Sequence, residues 1–431
     1  MKLIPTLAVF ALLATTANGS PMLRMEAQGN KTTSIVQSGD QTEDQGQTQQ
    51  TQDDGQTQQT QDDGQTQQQG QGQAQQTQEE GQSQTQDQGK QQQSPTTKTS
   101  DGCHLTGTYK QGTDISSCSL IVIDSLTVPA GVTLDMSKAK TGATIEFVGT
   151  TTFGTQKWNG PLVTVSGTDL TVKGSGILDG QGSWYWKQGQ SITRPVFFKL
   201  QSVIGSTVSG FTIKNMPYRT FSIVDSKQTT LSGLTLDNRA GDGIAKNTDG
   251  FDLTKNDHIT ITGNKIYNQD DCLAMQSSTN TIFSNNLCCG GHGISIGSLG
   301  GATVDETTTV QGLTVEGNTI ENSDNGIRIK TIIGLKGLVS DVKYVRNELS
   351  NVKNAIVMHS DYSKSKGAYT GSPTSQVTIQ GITVNGLKGT ATNLYDIVTN
   401  PKAVSGLTLS GVTVSASAKG TTTGLPSSIA V

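Results

Sequence analysis

Three aspartates, one histidine and two cations are spaced along this chain so that a folded repeat would bring them together. Asn247-Thr248-Asp249-Gly250-Phe251-Asp252 supplies a carboxylate at 249, and Gln269-Asp270-Asp271-Cys272 supplies two more. Gly291-His292-Gly293 and Arg328-Ile329-Lys330 follow. Carboxylates crowded together cannot all ionise at once, so one keeps a proton as an acid while others stay charged as bases. Hydrolysis of a glycosidic bond needs that division. An isolated Asp-Asp pair is more often an Asx-capped turn; the regular spacing is what raises these above it.

The elements that must position them are short strands. Phe221-Ser222-Ile223, Phe251-Asp252-Leu253, Leu273-Ala274-Met275, Ile294-Ser295-Ile296, Ile327-Arg328-Ile329 and Ile356-Val357-Met358 all read apolar, variable, apolar, each a strand with one face inward. In that alignment Asp249, Asp271, His292, Asn325 and Asn354 fall in one column, two residues before the first inward side chain. Steps of 22 residues from 249 to 271 and 21 from 271 to 292 match one coil of a parallel β-helix, whose successive strands stack about 4.8 Å apart. Arg328 and Lys330 project from the outer face of their strand. They would either neutralise the aspartates or recognise a substrate carboxylate, Arg by a bidentate fork and Lys as a point charge.

Alternating segments such as Leu170-Thr-Val-Lys173, Phe211-Thr-Ile-Lys214, Leu234-Thr-Leu-Asp237, Leu313-Thr-Val-Glu316, Val377-Thr-Ile-Gln380 and Leu407-Thr-Leu-Ser410 fill the rest of residues 101–431, separated by Gly, Asn, Asp or Ser. An irregular repeat of this kind, with almost no helical periodicity, predicts an all-β solenoid, a right-handed parallel β-helix. A β-sandwich is the alternative, but its strands would not need a repeating turn. Asn215, Asn238, Asn268, Asn322 and Asn351 end comparable strands and predict a stack of asparagines at one corner. His104, His258 and His359 read as structural, and Trp184, Tyr185 and Trp186 as either the lining of a sugar cleft or packing near one end.

Upstream of that domain, residues 1–19 carry Lys2, an apolar run from Leu3 to Ala14 and small residues to Gly19. This reads as a secretory signal peptide, too short to span a bilayer. Residues 20–100 are rich in Gln, Thr, Gly and Asp, and no Val, Ile, Leu, Met or aromatic residue occurs from Asp40 to Gly102. The nonapeptide at 46–54 recurs unchanged at 55–63. Such a segment is expected to be disordered, with Asn30-Lys31-Thr32 as an acceptor site for glycosylation. Residues 20–100 hold eleven Asp/Glu and four Lys/Arg, leaving 101–431 with 26 basic and 24 acidic residues. A faintly basic domain suits an anionic substrate and argues against nucleic acid, which asks for a dense basic patch.

Five cysteines in a secreted chain leave one over. Cys103 and Cys118 could close an N-terminal loop, and Cys272 with Cys288 could brace the coil under the acidic pair, with Cys289 left free or taking the place of Cys288. No metal site is expected, because no second His or paired Cys stands at ligand spacing from His292.

Together, Asn247-Thr-Asp-Gly-Phe-Asp252, Asp270-Asp-Cys272, Gly291-His-Gly293 and Arg328-Ile-Lys330 resemble, in order, the four signature motifs of the polygalacturonases, a family of pectin-degrading glycoside hydrolases. The likeness in texture runs from about Cys103 to the C terminus. It implies a right-handed parallel β-helix and cleavage, with inversion and without a cofactor, of α-1,4 bonds between galacturonates in de-esterified pectin of the plant cell wall. Internal cutting is expected. By the resemblance Asp270 is the general acid, Asp249 and Asp271 hold and deprotonate the attacking water, and His292 tunes the acid. Asn247, Arg328, Lys330 and Tyr362 then bind substrate. His359-Ser360 departs from the more acidic or amide-rich residues that usually precede Asp361-Tyr362, and the C-terminal cysteines of secreted relatives are absent. The expected partners are the polysaccharide and, by the resemblance, plant polygalacturonase-inhibitor proteins; the chain is expected to be an extracellular monomer with no membrane partner. Two other readings remain: a calcium-dependent pectate lyase on the same fold, against which the aligned aspartates argue, and a non-catalytic pectin-binding β-helix.

Overall fold

The apolar, variable, apolar triplets are one wall of a solenoid in the computed structural model, which describes residues 103–429 and Val431. The signal peptide read at 1–19, the low-complexity stretch 20–100 and the Asn30 sequon lie outside the described residues. Each coil lays down strands in three parallel sheets. The first sheet pairs Phe221↔Phe251↔Leu273↔Ile294↔Ile327↔Ile356, so the register inferred from the triplets is the observed one. The second runs through Lys227–Ser232, Asn256–Thr262, Ile282–Ser284 and Thr314–Glu316. The third runs through Thr212–Lys214, Thr235–Asp237, Lys265–Tyr267, Leu287–Cys289 and Thr319–Glu321. This is the parallel β-helix, and the β-sandwich is set aside because every one of these pairings is parallel.

Parallel stacking puts like on like. Phe198, Phe221 and Phe251 are fully buried one above another, with ring centroids 5.2 Å apart at each step, and Phe221 and Phe251 tilt by only 10°. Burying a column of Phe, Leu, Ile and Val along the axis supplies the apolar area that a single coil could not bury alone.

The expected asparagine stack is present. Asn215, Asn238, Asn268, Asn322 and Asn351 do share a column at the end of the third sheet, interrupted by Gly290. The hydrogen-bonded ladder is a different one. Asn264, Asn286, Asn318 and Asn347 sit buried at the preceding corner, where the side-chain oxygen of each residue from Asn286 onward accepts from both the backbone N–H and the side-chain amide of the one before it. The side chains inside that corner satisfy buried backbone groups of the preceding coil, Asn286 Nδ2, for example, donating to the Ile261 carbonyl at 3.1 Å.

Turns on both edges of the first sheet widen into walls. On the edge where the chain enters that sheet stand the short helix Gly182–Trp186 and a segment containing the 3-10 turn Arg239–Gly241. On the opposite edge are residues 300–308 and a segment folded back by antiparallel pairing of Tyr362 with Tyr369. Tyr185 and Trp186 are buried as packing, Trp186 donating its indole N–H to the Met216 carbonyl at 3.0 Å, whereas Trp184 is exposed. Among the described residues no helix is long and apolar enough to cross a membrane.

Both expected disulfides are present, Cys103–Cys118 and Cys272–Cys288. The alternation of the strand 287–289 settles the partner of Cys272: Cys288 shares the inward column of Ile266 and Ile320, while Cys289 pairs in register with Tyr267 on the outer side and is free.

Candidate active site

Glycine makes the turns that present the acids. A side chain on Gly291 would collide with the Asp270 carbonyl, and Gly293 holds a left-handed φ of 80° while its Cβ position is filled by the Asn325 carbonyl. The coils can therefore close tightly at the column of Asp249, Asp271 and His292. Asn268 fastens the acidic turn by donating its amide to the carbonyls of Thr248, Asp270 and Asp271, each at 3.0 Å. Gln269 ties the same turn to the Asn238 carbonyl at 2.9 Å and the Thr248 hydroxyl at 2.9 Å.

Asp271 is buried and its two oxygens are fully engaged. Oδ1 accepts from the Ser295 hydroxyl at 2.7 Å and from Arg328 Nη2, and Oδ2 accepts from Lys330 Nζ at 3.0 Å. Arg328 also donates Nε to Ser295 at 2.9 Å. The two cations read as outward-facing thus do neutralise an aspartate, and Lys330 lies 5.6 Å from the Tyr362 ring centroid, which puts Tyr362 at the same site.

Asp270 points elsewhere. Its Oδ1 meets His292 Nδ1 at 3.0 Å and the Asp271 backbone N–H at 2.8 Å, and its Oδ2 faces the Asn247 amide at 3.4 Å. The Asn247 amide has one permissible orientation: Arg194, which can only donate, bonds Asn247 Oδ1 at 3.0 Å and so turns Nδ2 toward the acid. Arg194 itself is buried, its other contacts going to the Lys246 and Pro217 carbonyls.

These environments push the carboxyls apart. Burial, with the adjoining Asp270 and Asp252 charges, drives Asp249 well above the usual carboxylate range. Burial acts upward on Asp270 too, but the hydrogen bond and charge of His292, with Lys330 and Arg328 behind, hold it below that range. Burial works against a charge on His292, and Asp270 overcomes it, leaving the imidazole with raised proton affinity. Protons therefore favour Asp249 and the His292 side of the His292–Asp270 pair.

Sequence reasoning missed four participants. Asp252 and Ser295 were in view as the variable members of their triplets, in register with Arg328 on the outer face. That column, Ser222, Asp252, Ala274, Ser295 and Arg328, is the cleft floor. Asp252 is buried, accepts no hydrogen bond on either oxygen, and burial pushes it up to about 6 against the pull of Arg219. Arg194 carried no sequence signal because its contact runs through turns 53 residues apart. Tyr369 stands against Arg328 and stacks on His359 with centroids 3.6 Å apart. His359 is structural as expected, lodged between Asp361 at 2.7 Å and Asp396 at 3.2 Å.

Asp270, Asp271 and His292 have donor atoms within 4.8 Å of one another, a grouping that could hold a metal ion. Asp271 is committed to two cations, so the set is better suited to proton transfer than to a metal.

The family model of "Glycosyl hydrolases family 28" matches residues 118–428. A "Polygalacturonase" from Cochliobolus carbonum is 43% identical over 330 residues, covering 74% of this chain and 89% of the relative. Among solved structures, "Endopolygalacturonase I from Stereum purpureum complexed with two galacturonate" superposes with a TM-score of 0.55 at 28% identity, over 72% of this chain and 97% of that one. An endo-xylogalacturonan hydrolase from Aspergillus tubingensis shares the fold, with a TM-score of 0.64 at 24% identity, over 76% of this chain and 98% of that one.

Proposed function

Since the chain belongs to family 28 of the glycosyl hydrolases, we propose that it is a secreted, pectin-degrading polygalacturonase that cuts α-1,4 bonds between galacturonates internally and with inversion. One observation carries the chemistry: Asp249, Asp270 and Asp271 meet in one cleft, Asp270 against His292 and Asp271 against Arg328 and Lys330, with Asp249 and Asp270 drawn toward opposite protonation states. The His292–Asp270 pair is the acid. As the glycosidic C–O bond breaks, Asp270 gives its proton to the departing oxygen and draws on the imidazolium beside it. A water held between Asp249 and Asp271 loses its proton to a carboxylate as its oxygen attacks the anomeric carbon from the opposite face. Asp249 must be ionised to act in this way. The N–H donors of Arg328 and Lys330 that Asp271 and Ser295 leave unused bind a galacturonate carboxylate, with Tyr362 against the sugar ring.

Incubation with de-esterified polygalacturonate, following reducing ends, product size and ultraviolet absorbance together, tests the assignment. New reducing ends without unsaturated products, and a rapid fall in chain length, are expected; absorbing products would favour the lyase. Proton NMR of the newborn reducing end should show the β-anomer first, and an initial α-anomer would sink the water-holding roles of Asp249 and Asp271. Asp270→Asn should abolish turnover while substrate still binds, because the amide keeps the shape and has no proton to give.

A further inference from the structure

The cations of the cleft are unequal. Arg328 and Lys330 are bound to Asp271, whereas the guanidinium of Arg219 has no hydrogen bond to any described residue. Its Nε is buried and unpartnered, and Asp252 Oδ1 lies 3.7 Å away with neither of its oxygens bonded. The side chain is about a quarter exposed, at 28%. The backbone fixes where it stands: Thr220 N–H donates to the Asp249 carbonyl at 2.8 Å, so Arg219 occupies the column of Asp249, Asp271 and His292 one coil before the first acid. Arg328 lies in the second coil beyond Asp271. The acids are therefore flanked by cations on both sides along the axis, separated by four coil steps, or about 19 Å at the usual strand spacing. Tyr218 underlies the Arg219 guanidinium, 5.2 Å from ring centroid to Cζ, with Arg194 on the same ring at 4.8 Å. An aromatic platform of this kind holds a guanidinium's plane while leaving its N–H fork free.

From this geometry we infer that Arg219 binds the carboxylate of a second galacturonate, on the far side of the reacting bond from the sugar held by Arg328 and Lys330. The inference rests on the galacturonate reading of the cleft and adds a second anchor to it. A polyanionic chain laid along the axis presents a carboxylate on every sugar, and a guanidinium with no hydrogen-bond acceptor among the described residues matches one by two parallel N–H···O bonds. The competing role is counter-charge for Asp252. A counter-ion needs only positive charge, whereas carboxylate recognition needs the fork, so lysine separates the two.

The experiment measures kcat and KM of the full-length protein, Arg219→Gln and Arg219→Lys on polygalacturonate and on a ladder of oligogalacturonates of defined length, with thermal unfolding of each variant. Arg219→Gln should raise KM on long substrate about tenfold, the loss of a charge-assisted contact, and leave KM unchanged on oligomers too short to reach both cations. Arg219→Lys should recover only part of the loss and unfold at the wild-type temperature. Full recovery by lysine, or a KM change independent of substrate length, would assign Arg219 to charge balance and overturn the proposal. If the wild-type protein releases no reducing ends from polygalacturonate, the substrate reading itself fails, a result separate from any behaviour of the variants.

Discussion

His292 and Asp252 give opposite lessons about a charged side chain in this cleft. In the proposed mechanism His292 supports the acid by sharing a proton with it, and the pH profile should record that. That mechanism requires Asp249 ionised, and its raised proton affinity should place the acidic limb of kcat/KM above the ordinary carboxylate range near about 4. The same mechanism requires a proton on the His292–Asp270 pair, and the raised imidazole should place the alkaline limb above about 6.5. His292→Gln should lower kcat by roughly a hundredfold and draw the alkaline limb down toward the carboxylate range, since Asp270 must then hold the proton alone; an unmoved limb would detach His292 from the acid. Asp252, by contrast, costs stability. Its folded value of about 6 lies above the unfolded one, so the stability its proton carries is complete below about pH 4 and is lost as pH rises to 6. Above that, the buried charge costs about 3 kcal/mol, at about 1.4 kcal/mol for each tenfold gain in proton affinity. Asp252→Asn should therefore raise the unfolding temperature at pH 7 and not at pH 3.5, as calorimetry at the two pH values would show.

A strand and its turn are the unit that delivers these residues, and the disulfide Cys272–Cys288 is the part of that unit most open to test. It ties the first residue after the acidic pair to the third sheet across a separation of 16 residues. The chain-entropy account of a loop that size gives about 3 kcal/mol, so Cys272→Ala with Cys288→Ala should lower denaturant stability by roughly that amount and reduce kcat by loosening Asp270 and Asp271. Cys289→Ser should change neither. The same unit shows how much the sequence could disclose. Strand register was legible because a period of two with Ile, Leu, Phe and Met inward leaves one alignment of the triplets, and that alignment carried Asp249, Asp271, His292, Arg328 and Lys330 into place. What a turn does with a side chain was not legible. Asparagines occur in both corner columns, and only the inward rotation at Asn264, Asn286, Asn318 and Asn347 makes a ladder. Asp252 escaped notice for the opposite reason: alternation sends it outward, where a charge passes for solvated until the walls of the cleft bury it.

At the scale of the whole chain, two segments differ in the sign of their charge balance. Residues 103–431 close their own core and carry both disulfides and every residue of the cleft. Residues 20–100 bring eleven acidic against four basic side chains, and from Asp40 onward none of the large apolar groups with which a segment docks. Deleting 20–100 should therefore leave the unfolding temperature and kcat unchanged. KM is a separate matter, because an acidic segment on the same chain is expected to repel polygalacturonate as it approaches. That repulsion acts between solvated charges and is screened over a Debye length of about 10 Å at 0.1 M salt and about 30 Å at 0.01 M. The truncated protein should accordingly show a lower KM than the full chain at 0.01 M ionic strength, with the two converging as salt is raised. A loss of kcat or of thermal stability on truncation would show instead that the segment packs on the β-helix. A KM difference that persists in high salt would point to direct contact between the segment and the substrate rather than to its charge.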